Sequence, residues 1–234
     1  MALLQLTDVH RWFGGVRAVD GVDLRLERGE LRALIGPNGC GKSTLFNLIS
    51  GTLRPTAGHI LFTDRDITGL PPHRIARLGL GRKFQVAAVF DDLSVGDNLR
   101  VAARTTRAAV STDALLGRLG LSGRRSVLAG VLSHGERQWL EIGMVLAAAP
   151  RLLLLDEPTA GMTVCETDAT VDLIRAIASS GDVAVLVIEH DIGFLERLDC
   201  AVTVMAKGRI LRSGSFANVR ADEQVRSLYF GTAA

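Results

Sequence analysis

The nine residues "GPNGCGKST", Gly36 to Thr44, constrain the fold of this chain more than any other stretch. They follow the short apolar run "LRALI" and open onto "KSTLFNLISG", whose apolar residues recur at helical spacing and stop at a glycine. Strand, glycine loop and helix in that order match G-x-x-x-x-G-K-[ST], in which the backbone bends so that successive N–H groups point inward. The helix N-terminus adds partial positive charge, so the loop is a cradle for phosphate. Lys42 is one of only three lysines, with Lys83 and Lys207, among 27 basic residues. A compact ammonium suits such a cradle where a broad guanidinium fork would not fit. On this reading Gly36, Pro37, Asn38, Gly39, Cys40 and Gly41 form the loop, and Lys42 holds the β and γ phosphates of a nucleotide. Ser43 ligates Mg²⁺ and Thr44 adds a phosphate contact.

The rest of the chain says what surrounds the loop. A length of 234 residues accommodates one full-sized domain, or a core with a smaller inserted lobe. "LLQLTDVH" and "VDGVDLRLERG" alternate apolar with polar residues, as strands of a half-buried antiparallel sheet do. "RLLLLDEP" and "VAVLVIEHD" are continuous apolar runs, the pattern of parallel strands buried on both faces. Residues 72–145, ahead of these two runs, read mostly as helix, rich in Ala and Arg and broken by glycines. An α/β core with a helical insert follows.

Formal net charge is +2 with both signs scattered, which gives no electrostatic case for nucleic acid as a partner. Cys40, Cys165 and Cys200 show no CxxC or Cys/His spacing, so neither a disulfide framework nor a zinc site is indicated and a reducing cytoplasm fits. "MALLQLTDVHRWF" lacks the layout of a signal peptide. The apolar runs fall short of the roughly 20 residues that span a bilayer.

"LLLLDEP" places Asp156 and Glu157 at the carboxyl end of a buried strand, the edge where ligands of parallel sheets collect. One carboxylate there can hold Mg²⁺ through its water shell while its neighbour accepts a proton from attacking water; a merely solvated strand end is the plainer alternative. His190 in "VIEHD" follows another buried strand to the same edge, as a structural residue or as a contact to the γ-phosphate. Gln85 in "GRKFQ" can orient water or Mg²⁺, or be an ordinary polar loop residue. Trp12 and Phe13 precede "GG", and an aromatic face near the cradle can stack on a nucleobase, although a core or surface role fits the spacing equally. "DITG" fits D-x-x-G, but no N-K-x-D guanine-reading stretch exists, and it reads as a turn.

"VLSHGERQWLEIGM" puts Ser133 beside His134. A hydrolytic nucleophile would need G-x-S-x-G, and Val131 stands where its first glycine belongs. A helix start fits better. Ser133 as N-cap with Glu136 three residues on is a capping box, with Leu140, Met144 and Ala147 along one face. Gly135 leaves the first turn open to an anion, although an ordinary cap has the same sequence.

The order "GPNGCGKST", "FQ", "LSHGERQ", "LLLLDEP", "EHD" resembles the nucleotide-binding subunit of ATP-binding cassette (ABC) transporters over essentially the whole chain. The resemblance implies a P-loop NTPase with a RecA-like core at 1–85 and 146–234, an antiparallel β lobe, and an inserted helical subdomain at 86–145 that carries the signature "LSHGE". It implies an ATPase with ATP and Mg²⁺ as cofactors, seated on the cytoplasmic face of the membrane. Implied partners are two permease subunits, a second cassette paired head to tail and, indirectly, a solute-binding protein. Phe13 is similar to the adenine-stacking aromatic, Gln85 to the residue linking Mg²⁺ to the membrane partner, and Glu157 to the general base. Ser43, Gln85 and Asp156 correspond to the metal-holding positions. Ser133, Gly135 and Glu136 correspond to the signature that meets the other subunit's γ-phosphate, and His190 to the switch histidine. The segment after Gln85 would face a coupling helix.

Within the family, "GRKFQ", "AGM", "EHD" and "RSLYFG" look like the cassettes of branched-chain amino acid importers, and "LSHGERQWLEIGM" with "DEPTAGMT" is most similar to that of urea importers. A lipid or lipopolysaccharide exporter's cassette, a soluble ABC protein and a P-loop kinase are the alternatives. Three positions depart from the usual motifs: His134 replaces a glycine, Glu136 a glutamine, and Thr163 an aspartate that speaks to the partner subunit. Cys40, in place of Ala or Ser, leads to the expectation that thiol reagents inhibit.

Overall fold

The computed structural model describes residues 2–83, 89–104 and 110–230, with 229 and 230 described by backbone alone. The chain begins with β1 (Ala2–Phe13) and β2 (Val16–Glu27), an antiparallel hairpin. It enters a second sheet as β3 (Leu31–Ile35), forms α1 (Lys42–Ile49), and returns to the first sheet as β4 (Ala57–Phe62) and β5 (Arg65–Asp66). The first sheet runs β2-β1-β4-β5.

After α2 (Pro72–Arg77) and β6 (Leu80–Arg82) come the helices α3 (Val95–Ala103), α4 (Thr112–Arg118) and α5 (His134–Ala147). The α/β pattern then resumes with β7 (Leu152–Asp156), α6 (Val164–Ser179), β8 (Ala184–Ile188) and α7 (Ile192–Leu198). It closes with β9 (Ala201–Ala206), β10 (Arg209–Ser215), α8 (Phe216–Ala221) and α9 (Glu223–Phe230). The second sheet runs β10-β9-β3-β8-β7-β6, parallel except for β10.

Side chains of this sheet alternate between two hydrophobic cores, as the period of two along a strand requires. Ala33, Leu153, Leu155, Val185 and Val187 face the core shared with α3–α7. Leu34, Leu152, Leu154, Leu186 and Ile188 face the core shared with α1 and the antiparallel sheet. Every one of these residues is fully buried or within a percent of it, which is why β7 and β8 read as unbroken apolar runs. Because β3, β6, β7 and β8 are parallel, Ile35, Arg82, Asp156 and Ile188 all end at one edge, and the loops that follow meet there.

One feature differs from the sequence reading. β6 is a strand inside the stretch read as helical: three residues of "GLGR" pair in register with Leu152, Leu153 and Leu154. Its own sequence carries no strand period; the pairing partner makes it one. β9 and β10 form a hairpin, and its turn, Lys207 (φ 47°) and Gly208 (φ 81°), has the left-handed pair that two-residue hairpins need. "DITG" is a turn, closed by Thr68 N–H donating to Asp66 Oδ1 at 2.8 Å. Among the described residues no helix is long and apolar enough to cross a membrane.

Candidate nucleotide site

The loop between β3 and α1 folds as the motif requires, and two of its glycines are needed sterically. A Cβ on Gly36 (φ 151°) would lie 2.1 Å from the carbonyl oxygen of Met205, and one on Gly41 (φ 109°) 2.2 Å from that of Ala18. The loop is thus pressed against β9 on one side and β2 on the other, at distances only glycine tolerates. Lys42 is buried, and its Nζ donates to the carbonyls of Gly36 at 2.7 Å and Pro37 at 3.0 Å. The ammonium therefore lies across the mouth of the loop it follows.

Asn38, Gly39, Gly41, Lys42, Ser43 and Thr44 line a cavity of about 330 Å³ with Ala18 and Glu157. The glycine loop, Lys42 and a carboxylate thus share one space. Another cavity, of about 130 Å³ beside His190, is lined mainly by apolar side chains such as Ile35, Ile192, Leu195 and Phe216 and offers no comparable cradle. Cys40 does not line the phosphate cavity. Its side chain packs into the core, 6% exposed, and burial pushes its thiol up. This burial weighs against Cys40 as the point at which thiol reagents would inhibit.

Asp156 and Glu157 end β7 in different ways. Asp156 is buried, 3.7 Å from Arg82 Nη2, and its Oδ2 has no hydrogen-bond partner among the described residues. Burial pushes this carboxyl up, opposed by Arg82, reinforced by the neighbouring Glu157 charge and opposed again by Lys42 and Lys83. A buried, incompletely satisfied carboxylate oxygen fits the water shell of Mg²⁺, which binds through one or two carboxylates together with phosphate oxygens. Glu157 is half exposed and takes φ 48°, a left-handed conformation that costs about 1–2 kcal/mol for a residue with a Cβ. Its N–H donates to Ile188 O at 3.0 Å, so the strain is held by β8.

His190, after β8, brings Nδ1 to 3.7 Å from Glu157 Oε1. Glu189, the residue before His190, carries no local sequence signal of a role. It is 1% exposed and accepts from Thr159 Oγ1 at 2.6 Å, Thr159 N–H at 3.2 Å and His190 N–H at 3.2 Å. It ties the loop after β7 to the end of β8.

Other candidates lie apart from this cavity. Phe13 is exposed at the β1–β2 turn with the Arg11 guanidinium 4.5 Å from its ring centre, on the hairpin whose Ala18 touches the loop. Gln85 lies outside the described residues, as does the start of the segment after it. Ser133 caps α5 in a complete capping box: its hydroxyl accepts from Glu136 N–H at 3.2 Å, and Ser133 N–H donates to Glu136 Oε2 at 3.0 Å. Arg124 pairs with Glu136 at 2.8 Å. None of Ser133, Gly135 and Glu136 lines the phosphate cavity.

A parallel sheet whose glycine loop, lysine and strand-end carboxylate Glu157 share one cavity, with the buried Asp156 as the preceding residue, defines a P-loop nucleotide hydrolase. Residues 19–160 match the family model described as ABC transporter. The chain is 34% identical to the high-affinity branched-chain amino acid transport ATP-binding protein BraF of Pseudomonas aeruginosa, covering 99% of this chain and 98% of BraF. It is 35% identical to the lipopolysaccharide export system ATP-binding protein LptB of Acidithiobacillus ferridurans, covering 98% and 97%. The crystal structure of the ADP conformation of MJ1267, an ATP-binding cassette of an ABC transporter, superposes with a TM-score of 0.87 at 29% identity over 99% of both chains. The chain belongs to the ATP-binding cassette family of ABC transporters, and it is an ATPase.

Proposed function

We propose that this chain powers an ABC importer, binding and hydrolysing ATP to drive uptake of a small solute through separate permease subunits. In this reading it is a peripheral protein on the cytoplasmic face. The observation that carries it is full-length similarity to branched-chain amino acid transport ATP-binding proteins, together with the shared cavity of Lys42, Ser43 and Glu157. The solute is a branched-chain amino acid or, from the signature and the stretch after β7, urea.

The proposed roles are these. Loop N–H groups and Lys42 hold the β and γ phosphates, and Thr44 adds a contact. Ser43 and Asp156, with Gln85, would hold Mg²⁺, which offsets charge on the β and γ phosphates when bound. Glu157, strained toward the cavity rim, accepts the proton of the attacking water, and His190 beside it contacts the γ-phosphate. Phe13 stacks on adenine. Two cassettes pair head to tail, so that Ser133, Gly135 and Glu136 of one close on the nucleotide of the other. That Ser133, Gly135 and Glu136 lie off the chain's own phosphate cavity supports this. The helical part at 86–145 is the subdomain that carries this signature.

Full-length similarity to a lipopolysaccharide export ATP-binding protein supports a second reading, with the same chemistry serving an exporter. Reconstitution with the permeases it co-purifies with decides between them. ATP-dependent accumulation of leucine or urea inside right-side-out vesicles loaded with ATP is the expected result; ATP turnover stimulated by a lipid-linked glycan and by neither solute would establish the exporter instead.

A further inference from the structure

The capping box does not account for all that the start of α5 binds. Glu166, in the first turn of α6, reaches across to it. Its Oε1 accepts from Ser133 Oγ at 3.4 Å and from Gly135 N–H at 3.2 Å. Its Oε2 accepts from Thr163 N–H and Thr163 Oγ1, each at 2.9 Å. One carboxylate thus joins two helix N-termini, one oxygen to each. A Cβ on Gly135 would lie 2.4 Å from that same Oε1, so the space Gly135 leaves open is filled by this side chain. His134 makes a parallel link, with Nε2 3.0 Å from Ala160 O in the loop before α6.

We infer that Glu166 is a positioning residue that holds, within its own chain, the two donors through which the signature binds the partner's γ-phosphate, and that it leaves them when two cassettes close. The inference rests on the head-to-tail pairing proposed above. A carboxylate and a phosphate compete for the same hydroxyl and N–H, and their like charges exclude one another at that distance. Thr163 makes the arrangement workable. Its hydroxyl and N–H keep Oε2 anchored while Oε1 lets go, whereas an aspartate at 163 would set a second negative charge against Glu166. Two departures from the usual motifs, His134 and Thr163, thus belong to one self-contact between the signature and the loop after β7.

The test uses the full-length chain carrying Glu157→Gln to slow hydrolysis, and measures dimer formation against Mg-ATP concentration by sedimentation. Glu166→Gln keeps the capping box of α6, since glutamine serves at that position as well as glutamate, and removes the competing charge. It is expected to lower the half-saturating ATP about tenfold, the scale of one charge-assisted hydrogen bond lost from the competing state. Thr163→Asp, which keeps a good N-cap but repels Glu166, shifts it the same way. A merely structural Glu166 would leave the ATP dependence unmoved or raise it, and either result overturns the inference. No dimer from parent or variant at saturating ATP overturns the head-to-tail reading itself; equal ATP dependence in both overturns only the role of Glu166.

Discussion

Cys40, Cys165 and Cys200 share a chemistry and differ in surroundings, so they report how each local environment is built. Cys40 turns from the phosphate loop into the core, where its Sγ would meet a Cβ on Gly36 at 2.8 Å. Burial pushes its thiol up, and it pushes Cys200 up to about 11. Cys165 is exposed in the first turn of α6. The thiolate is the nucleophile, and a thiol titrating near 11 is only about 0.1% thiolate at pH 8. Iodoacetamide on the folded protein is therefore expected to modify Cys165 well before Cys40 or Cys200, and all of them once urea is added. Peptide mass mapping over time reads this directly. Labelling of Cys40 at the rate of Cys165 would mean that the loop opens to solvent far more than its packing allows.

Between elements, the join of β6 to α5 is a buried ion pair. Lys83, just after β6, lies 3.4 Å from Glu141 of α5, with side chains 6% and 10% exposed. Its N–H donates to Leu154 O at 3.0 Å, continuing the β6–β7 ladder by one residue. Lys83→Met strands the Glu141 charge and is expected to cost about 3 kcal/mol in urea unfolding. Lys83→Met with Glu141→Leu should recover most of it, because the desolvation penalty goes with the charges. An equal loss in both variants would show that packing, not charge, makes the join. This pair also shows where sequence reading stops. β7, β8, the phosphate loop and the Ser133 cap were legible because each signal sits within a dozen consecutive residues. β6 was not, because its strand character comes from pairing with β7. Lys83–Glu141 and Glu166–Gly135 were not, because nothing local fixes which distant partner a charge meets. The start of α6 was legible in principle: Thr163 and Glu166 repeat the spacing of Ser133 and Glu136 and form the same capping box.

For the whole molecule, the separation of the signature from the phosphate cavity turns pairing into a counting problem. Lys42→Ala removes the cradle's ammonium and Ser133→Arg blocks the signature, so each variant alone is expected to turn over almost no ATP. In a head-to-tail dimer of the two, one site combines both lesions. The other combines the intact Lys42 of one chain with the intact Ser133 of the other. Random mixing at equal amounts makes about half the dimers mixed, each with one sound site of two, so turnover returns to about a quarter of the unaltered protein. If signature and cradle instead acted within one chain, every chain in the mixture would carry a lesion in its own site and activity would stay at the level of the variants. Turnover assayed after mixing, with ATP saturating and total chain constant, separates the two. Recovery should also grow with chain concentration, since it depends on an encounter between chains. A recovery independent of concentration would place the second half of the site somewhere other than a partner cassette.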